Sequence, residues 1–463
     1  MQRTNPAKTI AQRRVLAATS ISYVVVLLDT SIVNVALDRI AMGLGTHIAG
    51  LQWVVSAYTL AFASLLLTGG ALGDRWGARN VYLAGLLVFT LASAACGFAP
   101  GLPLLIAARV LQGVGAAMLV PCSLKLINVA FPDPEQRARA IGVWIGLGGV
   151  AMAAGPLVGG ALIQLFDWRS IFLVNVPIGI AGLGMTWRIA RDRGSAQGAR
   201  LDHAGQAAAI VALGTLIGVL IEGHILGWRS PFVLAGIAIS AASWVAFFVV
   251  ESRSAHPMLP LHFFRNRVFA ASTIASTASA FVFYGLFFVT SLYYQQERGN
   301  SPLWAGLAFL PMTATVAIAS IVSSRVVRAC GTRGSMCLAF GLYAAGALGM
   351  LGTRPSSPYW LGIAPMLAIG LASGFISPAA TAPAMGTVER QRAGIAAAVL
   401  NAARQAGAAI GVAIFGTLVA GSHPFEIGMH AALWTAAVVS LMAAWAWWLA
   451  LTPPAGTYVE KQA

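Results

Sequence analysis

Long apolar runs, separated by short polar clusters, dominate the chain. They fall at 15–37, 50–73, 80–99, 104–130, 139–165, 171–190, 205–222, 231–250, 268–294, 303–324, 335–352, 359–385, 393–420 and 429–451. A helix rising 1.5 Å per residue needs about 17–25 such residues to cross a hydrocarbon core. The pattern therefore predicts an all-α integral membrane protein with fourteen transmembrane helices. The small-residue stretches GGALG (69–73) and GLGG (146–149) suit close helix approach in lipid.

Composition strengthens this reading. The 463 residues are 58% hydrophobic and only 9% charged, and the mean hydropathy is +0.78. A water-facing surface needs about 25% charged residues, so the lipid bilayer is the expected solvent. The net charge of +15 does not form a tract that would bind nucleic acid. Instead it alternates. With a cytoplasmic N-terminus, 22 of the 29 Lys and Arg fall inside and five outside, while Arg109 and Arg404 fall within spans. That asymmetry predicts an even number of spans and two cytoplasmic termini. The basic leader MQRTNPAKTIAQRR precedes an apolar run longer than a cleavable signal's core, so an uncleaved first span is expected. Cys96, Cys122, Cys330 and Cys337 form no metal-ligand spacing and read as packing residues. No metal and no cofactor are expected.

The longest polar stretch, RIARDRGSAQGARLDHAG (188–205), reads as a linker between two halves. A faint repeat supports two halves. GALGDRWGAR (70–79) aligns with SRVVRACGTR (324–333), pairing Gly77 with Gly331, Arg79 with Arg333 and Asp74 with Arg328. Repeated halves are a common build of secondary transporters.

Signatures of soluble enzymes are absent: no H-E-x-x-H, no G-x-S-x-G and no P-loop, and Lys occurs only at 8, 125 and 461. An ion gradient remains as the energy source. Charges within spans are then the informative residues. Asp29 lies about 21 Å from the cytoplasmic start of the first span, and Arg109 about 8 Å below the outer surface of the fourth. Both fall in the outer half of the core. Two readings are open: a proton carrier tuned by burial and by Arg109, or a static ion pair. Glu222, in IEGHILGW, is a possible second acid or an interfacial one. Asn401, Arg404 and Gln405 share an otherwise apolar helix and either line a cavity or tie helices together. Phe283, Tyr284 and Phe287 either wall an apolar cavity or face lipid. Asn34, Tyr58 and Gln112 complete the set of candidate cavity residues.

These stretches, taken in order, resemble the fourteen-span drug–proton antiporters of the major facilitator superfamily nearly end to end. LDTSIVNVAL (28–37) is similar to the first-span motif, GALGDRWGAR (70–79) to the loop signature, LIAARVLQGVGAA (105–117) to the fourth-span motif and AAGPLVGG (153–160) to the antiporter motif. WRSIFLVNVPIGI (168–180) and NAARQAGAAIG (401–411) also match family stretches. Departures are Asp38, where the first-span motif often has Pro, Ala151 in place of Gly, and Ala78 within the loop's basic run. The resemblance implies proton coupling at Asp29 and Arg109. It implies gating at Asp74, Arg75, Gly77 and Arg79 of the loop, and at Gly155, Pro156, Gly159 and Gly160. It also implies a six-helix bundle at 1–190, a loop with two linking helices at 191–267 and a second six-helix bundle at 268–463.

The expected function is proton-coupled export of small lipophilic compounds by a monomer in a bacterial cytoplasmic membrane. The scarcity of acids in the spans argues against polycationic cargo. An uptake porter or a uniporter on the same scaffold, a transport-inactive sensor and a membrane-embedded enzyme are the alternatives.

Overall fold

The computed structural model describes residues 6–189, 202–254, 257–389, 392–422 and 424–451. The heart of the predicted linker and the outermost basic residues of both tails lie outside them. The described chain forms α1 (Pro6–Leu44), α2 (Ile48–Trp76), α3 (Ala78–Gly97), α4 (Leu102–Ala130), α5 (Pro134–Leu165), α6 (Ser170–Leu173), α7 (Asn175–Trp187), α8 (His203–Leu226) and α9 (Pro231–Arg253). It continues with α10 (Arg267–Leu292), α11 (Pro302–Ala308), α12 (Leu310–Met350), α13 (Trp360–Gly386), α14 (Ala393–Ala420) and α15 (Phe425–Ala450). Helix starts follow local chemistry. Asp133 accepts from the Gln136 amide at 2.9 Å, and Ser230 accepts from the Val233 amide at 3.3 Å. Proline occupies the first helical position of both helices, where no amide is needed.

Among the described residues, thirteen helices are long and apolar enough to cross a membrane. α6 with α7, and α11 with the start of α12, each make one such span. The fourteenth expected span, 335–352, is the part of α12 beyond Gly331. It is helical, but it runs only from the break at Gly331 to Met350 and begins with the basic Arg333, and it is not one of the thirteen. Helices also outrun their apolar cores: α1 is 39 residues long and carries Asp38 and Arg39 past the predicted span.

The repeat seen in the sequence has a conformational counterpart. Gly77 separates α2 from α3 at φ 86°, and Gly331 breaks α12 at φ 71°, a region that any Cβ disfavours. The arginine two residues after each glycine sits over a tryptophan near the end of its half's last helix. Arg79 lies 5.8 Å from the Trp187 ring centroid and Arg333 lies 3.5 Å from that of Trp448.

α1–α7 pack as one bundle and α10–α15 as another, and they meet along α2 against α14 and α5 against α11 and α12. α8 and α9 pack on each other, and α8 touches both α2 and α14. We call the end of the bundle holding the Gly77 and Gly331 turns the basic end. One continuous apolar core runs through both bundles, from Ile32 and Trp168 to Phe309 and Phe415, and extends down the second half to Met336 and Trp447. At the basic end the cores separate, one around Tyr82 and Trp144 and another around Phe269 and Leu400. The outer surface carries large apolar side chains such as Leu91, Phe166, Phe232 and Trp445, as a lipid-facing surface must. Of the small-residue stretches, Gly69 does pack on the Ala117 carbonyl. A side chain at Gly146 or Gly149 would meet no neighbour, so these two are not helix contacts.

Candidate functional site

α1 and α4 bring Asp29 and Arg109 together. Arg109 Nη1 lies 2.5 Å from Asp29 Oδ2, and neither side chain is more than 2% exposed. Two more donors serve the other carboxylate oxygen: Gln112 Nε2 at 3.2 Å and Asn175 Nδ2 at 3.1 Å. Arg109 also donates from Nε to the Val54 carbonyl at 3.1 Å and from Nη1 to Gln112 Oε1 at 2.9 Å. Its guanidinium carbon stands 4.3 Å from the Tyr58 ring centroid. Ser93 Oγ accepts from both Gln112 and Asn175, at 3.0 and 3.1 Å. Cys96 Sγ donates to Gln112 Oε1 at 3.2 Å. Every charge in the centre therefore has directed partners, which a buried pair requires to offset its lost hydration.

Ser93, Cys96 and Asn175 were not singled out in the sequence. Asn175 had a signal: a polar residue within an apolar span, beside Pro177, where α6 gives way to α7.

One space adjoins this centre and a second lies apart from it. A cavity of about 10 Å³, room for a single water, is lined by Thr30, Tyr58, Arg109, Tyr284 and Ala408 among others. A larger one of about 710 Å³ lies between the halves at the basic end, with α2, α4 and α14 supplying most of its wall. Asp74 and Asn401 line it together with mostly apolar side chains.

The other candidates fall into distinct places. Tyr58 and Tyr284 face the small cavity and Asn401 the large one. Arg404 donates to Asn401 Oδ1 at 2.7 Å and to Ser377 Oγ at 3.3 Å. Gln405 is buried on the same helix. Phe283 and Phe287 line neither cavity. They are 1% exposed and stack on each other, and Phe287 presses on Phe309, so the core of the second half takes them up. Asn34 bonds back to the Thr30 carbonyl at 3.1 Å, and its own carbonyl accepts from Ser291; it lines neither space.

Of the loop residues, Asp74 pairs with Lys125 at 2.7 Å. Arg75 is exposed. Arg79 is buried and donates to the Trp187 carbonyl at 2.8 Å, within its own half. The antiporter stretch sits at the opposite end. Gly155 and Gly159 lie against Ser31 and Ile32 of α1. Gly160 faces the backbone of Pro302 and Leu303, and Gly306 faces that of Pro156 and Leu157. Thr313 Oγ1 donates across to the Ala153 carbonyl at 3.1 Å. The halves are thus shut at this end by backbone-to-backbone contact.

Glu222 has no hydrogen bond to Asp29 or Arg109 among the described contacts. Its Oε1 accepts from Trp53 Nε1 at 2.8 Å, tying α8 to α2. Such a tie braces the linking helix, so Glu222→Gln is expected to keep transport within about twofold of the parent while losing about 1–2 kcal/mol of stability. Transport assays paired with thermal unfolding check this, and a lost transport activity would return Glu222 to the coupling machinery.

A multi-span bundle in two halves, shut at one end and hollow at the other around a buried ion pair, defines a membrane transporter. The profile of the major facilitator superfamily matches residues 19–208 and 203–412, and the chain belongs to that superfamily; it is a transporter and not an enzyme. It is 38% identical over 414 residues to a methylenomycin A resistance protein of Streptomyces coelicolor, covering 89% of this chain and 87% of that one. It is 36% identical to a methylenomycin A resistance protein of Bacillus subtilis, covering 97% and 96%. It is 34% identical to multidrug resistance protein Stp of Mycobacterium tuberculosis, covering 88% and 75%. In fold it is similar to a D-xylose–proton symporter, with a TM-score of 0.68 at 13% identity, covering 94% of this chain and 97% of that one.

Proposed function

We propose that the chain is a proton-coupled antiporter that exports small lipophilic, antibiotic-like compounds across a bacterial cytoplasmic membrane, with the basic end in the cytoplasm. The observation that carries this reading is a sealed carboxylate–guanidinium centre within the first half together with a separate, mostly apolar cavity between the halves at the basic end. The names of relatives at 34–38% identity point the same way.

In this reading, the described state takes substrate from the cytoplasm or inner leaflet while α5 and α11 keep the far end shut. Once the substrate-loaded halves have rocked open at the far end, a proton entering from outside neutralises the Asp29 carboxylate, frees the Arg109 charge and is carried to the cytoplasm as the halves return. The bonds from Gln112 and Asn175 then loosen, and the packing of α1 on α4 and α7 no longer holds one arrangement. Asn175 Oδ1 accepts no hydrogen bond in the described state, so it offers an acceptor for the new carboxyl proton. The halves rock about the cavity, with the two six-helix bundles as moving bodies and α8 and α9 as their links. Each charge crossing 100 mV supplies about 2.3 kcal/mol, enough for roughly fifty-fold accumulation.

The test is a susceptibility screen of an expressing strain against lipophilic antibiotics and antiseptics, with and without a protonophore. Resistance to at least one compound is expected to rise about fourfold or more and to vanish with the protonophore. Gradient-independent resistance, or inward flux in the cellular sense measured with everted vesicles, would overturn the reading.

A further inference from the structure

Arg404 is the second guanidinium set deep in the bundle, and no described carboxylate answers it. The five described ion pairs join Arg109, Lys125, Arg139, Arg169 and Arg392 to their acids and leave Arg404 out. Its hydrogen-bond partners are neutral oxygens, on Ser377, Asn401 and Tyr23. Its charge also reaches the Tyr23 and Tyr284 hydroxyls. A guanidinium carries five N–H donors in a planar fork, so donors are left over. Arg109, by contrast, has its acid, a carbonyl and an aromatic face.

Position gives this surplus charge a use. Asn401, one turn toward the basic end, lines the cavity of about 710 Å³. Ala408 and Tyr284, one turn the other way, line the small cavity that touches Arg109. Arg404 lines neither cavity itself; on α14 it lies between Asn401, which faces the large space, and Ala408, which faces the small one. Across from it, Tyr23 stacks flat on Trp144, with centroids 3.7 Å apart and planes at 16°. The rest of the large cavity presents mostly apolar side chains, Leu66, Leu67, Pro121 and Ile395 among them. An unpaired intramembrane cation is expensive and persists where it meets water or a counter-charge. The planar fork fits a carboxylate in bidentate fashion, and the fit strengthens in low dielectric.

We propose that Arg404, with Ser377 and the Tyr23 and Tyr284 hydroxyls, is an anion subsite that receives the carboxylate of an otherwise apolar substrate. The inference rests on the export reading and narrows its substrate class to lipophilic monoanions. The body of such a molecule lies in the large cavity, and its acid group points toward the proton centre.

The experiment compares 1-naphthylacetate with its uncharged analogue 1-naphthylacetamide, by equilibrium binding to the purified full chain at pH 7.5. Nanodiscs of zwitterionic lipid keep anionic headgroups from competing. The acid is expected to bind at least tenfold tighter than the amide. Arg404→Gln is expected to bring the two Kd values together, and Arg404→Lys, which keeps the charge but not the fork, to retain part of the preference. Arg404→Lys keeps the test decisive should the neutral variant fail to fold. Equal Kd values in the parent protein, or an acid preference that survives Arg404→Gln, would overturn the subsite. Its failure is separable from that of the export reading. Proton-driven export without acid preference removes the subsite alone, and acid preference without proton-driven export removes the export reading alone.

Discussion

Asp29→Asn and Arg109→Gln are each expected to abolish gradient-driven transport, and the double variant is expected to recover stability without recovering transport. Each single change leaves a buried polar cluster with one charge uncompensated. Removing one partner of a buried pair costs about 3–5 kcal/mol, and at 0% and 1% exposure neither Asp29 nor Arg109 can turn to water for relief. Asparagine at 29 still accepts from Gln112 and Asn175, so geometry survives better than charge balance. With both charges gone, amide-to-amide bonds replace the ion pair and most of the loss disappears. Transport is different, because no carboxylate remains in the centre to carry the proton. Thermal unfolding is expected to show two unstable single variants and a near-parental double. Proton-driven flux in everted vesicles is expected to fall at least about a hundredfold in all three. Gradient-free exchange of substrate is expected to persist in Asp29→Asn, since its cavity is untouched. Coupled flux surviving Asp29→Asn would reduce the pair to a structural brace.

The meeting of Asp29 and Arg109 was legible because depth is arithmetic in a membrane helix: a residue count times 1.5 Å gives a level, and two opposite charges at one level in lipid have few other options. Sideways position has no such rule. Ser93 and Cys96 looked like ordinary small residues of a third span, and only the packing of α3 on α4 and α7 reveals that they hold Gln112 and Asn175. The aromatic run of α10 shows the same limit. Tyr284 faces a cavity while Phe283 and Phe287 face the core of the second half, yet lipid, core and cavity wall all accept apolar rings, so the pattern does not separate them. The Gly77–Gly331 alignment carried more than its ten residues suggested, since it marks two turns of similar conformation. The direction of Arg79 was not legible: its destination is a carbonyl at the end of α7, more than a hundred residues away in sequence.

Gly306→Val is expected to hold the far end open and to stop transport without unfolding either half. A Cβ at Gly306 would strike the Pro156 carbonyl and the Leu157 backbone, and one at Gly160 would strike Pro302 and Leu303. All four neighbours are backbone, so no side chain can swing aside. Overpacking of this kind costs about 1–3 kcal/mol. Here the cost falls only on the arrangement in which α5 and α11 touch, because once the halves part at that end the added methyl groups meet open space. A penalty confined to one of two states shifts their ratio by roughly 5- to 150-fold. The consequence appears at the other end of the molecule. Ile395, 42% exposed on α14, lines the large cavity. Placed as Ile395→Cys in a chain whose four native cysteines are replaced by alanine, it is expected to react readily with a maleimide from the basic end. Adding Gly306→Val is expected to slow that reaction about tenfold, because opening one end closes the other. Unchanged labelling together with unchanged transport would show that the glycine contacts between α5 and α11 are not the seal; slowed labelling with lost transport ties the two ends of the bundle to one rocking motion.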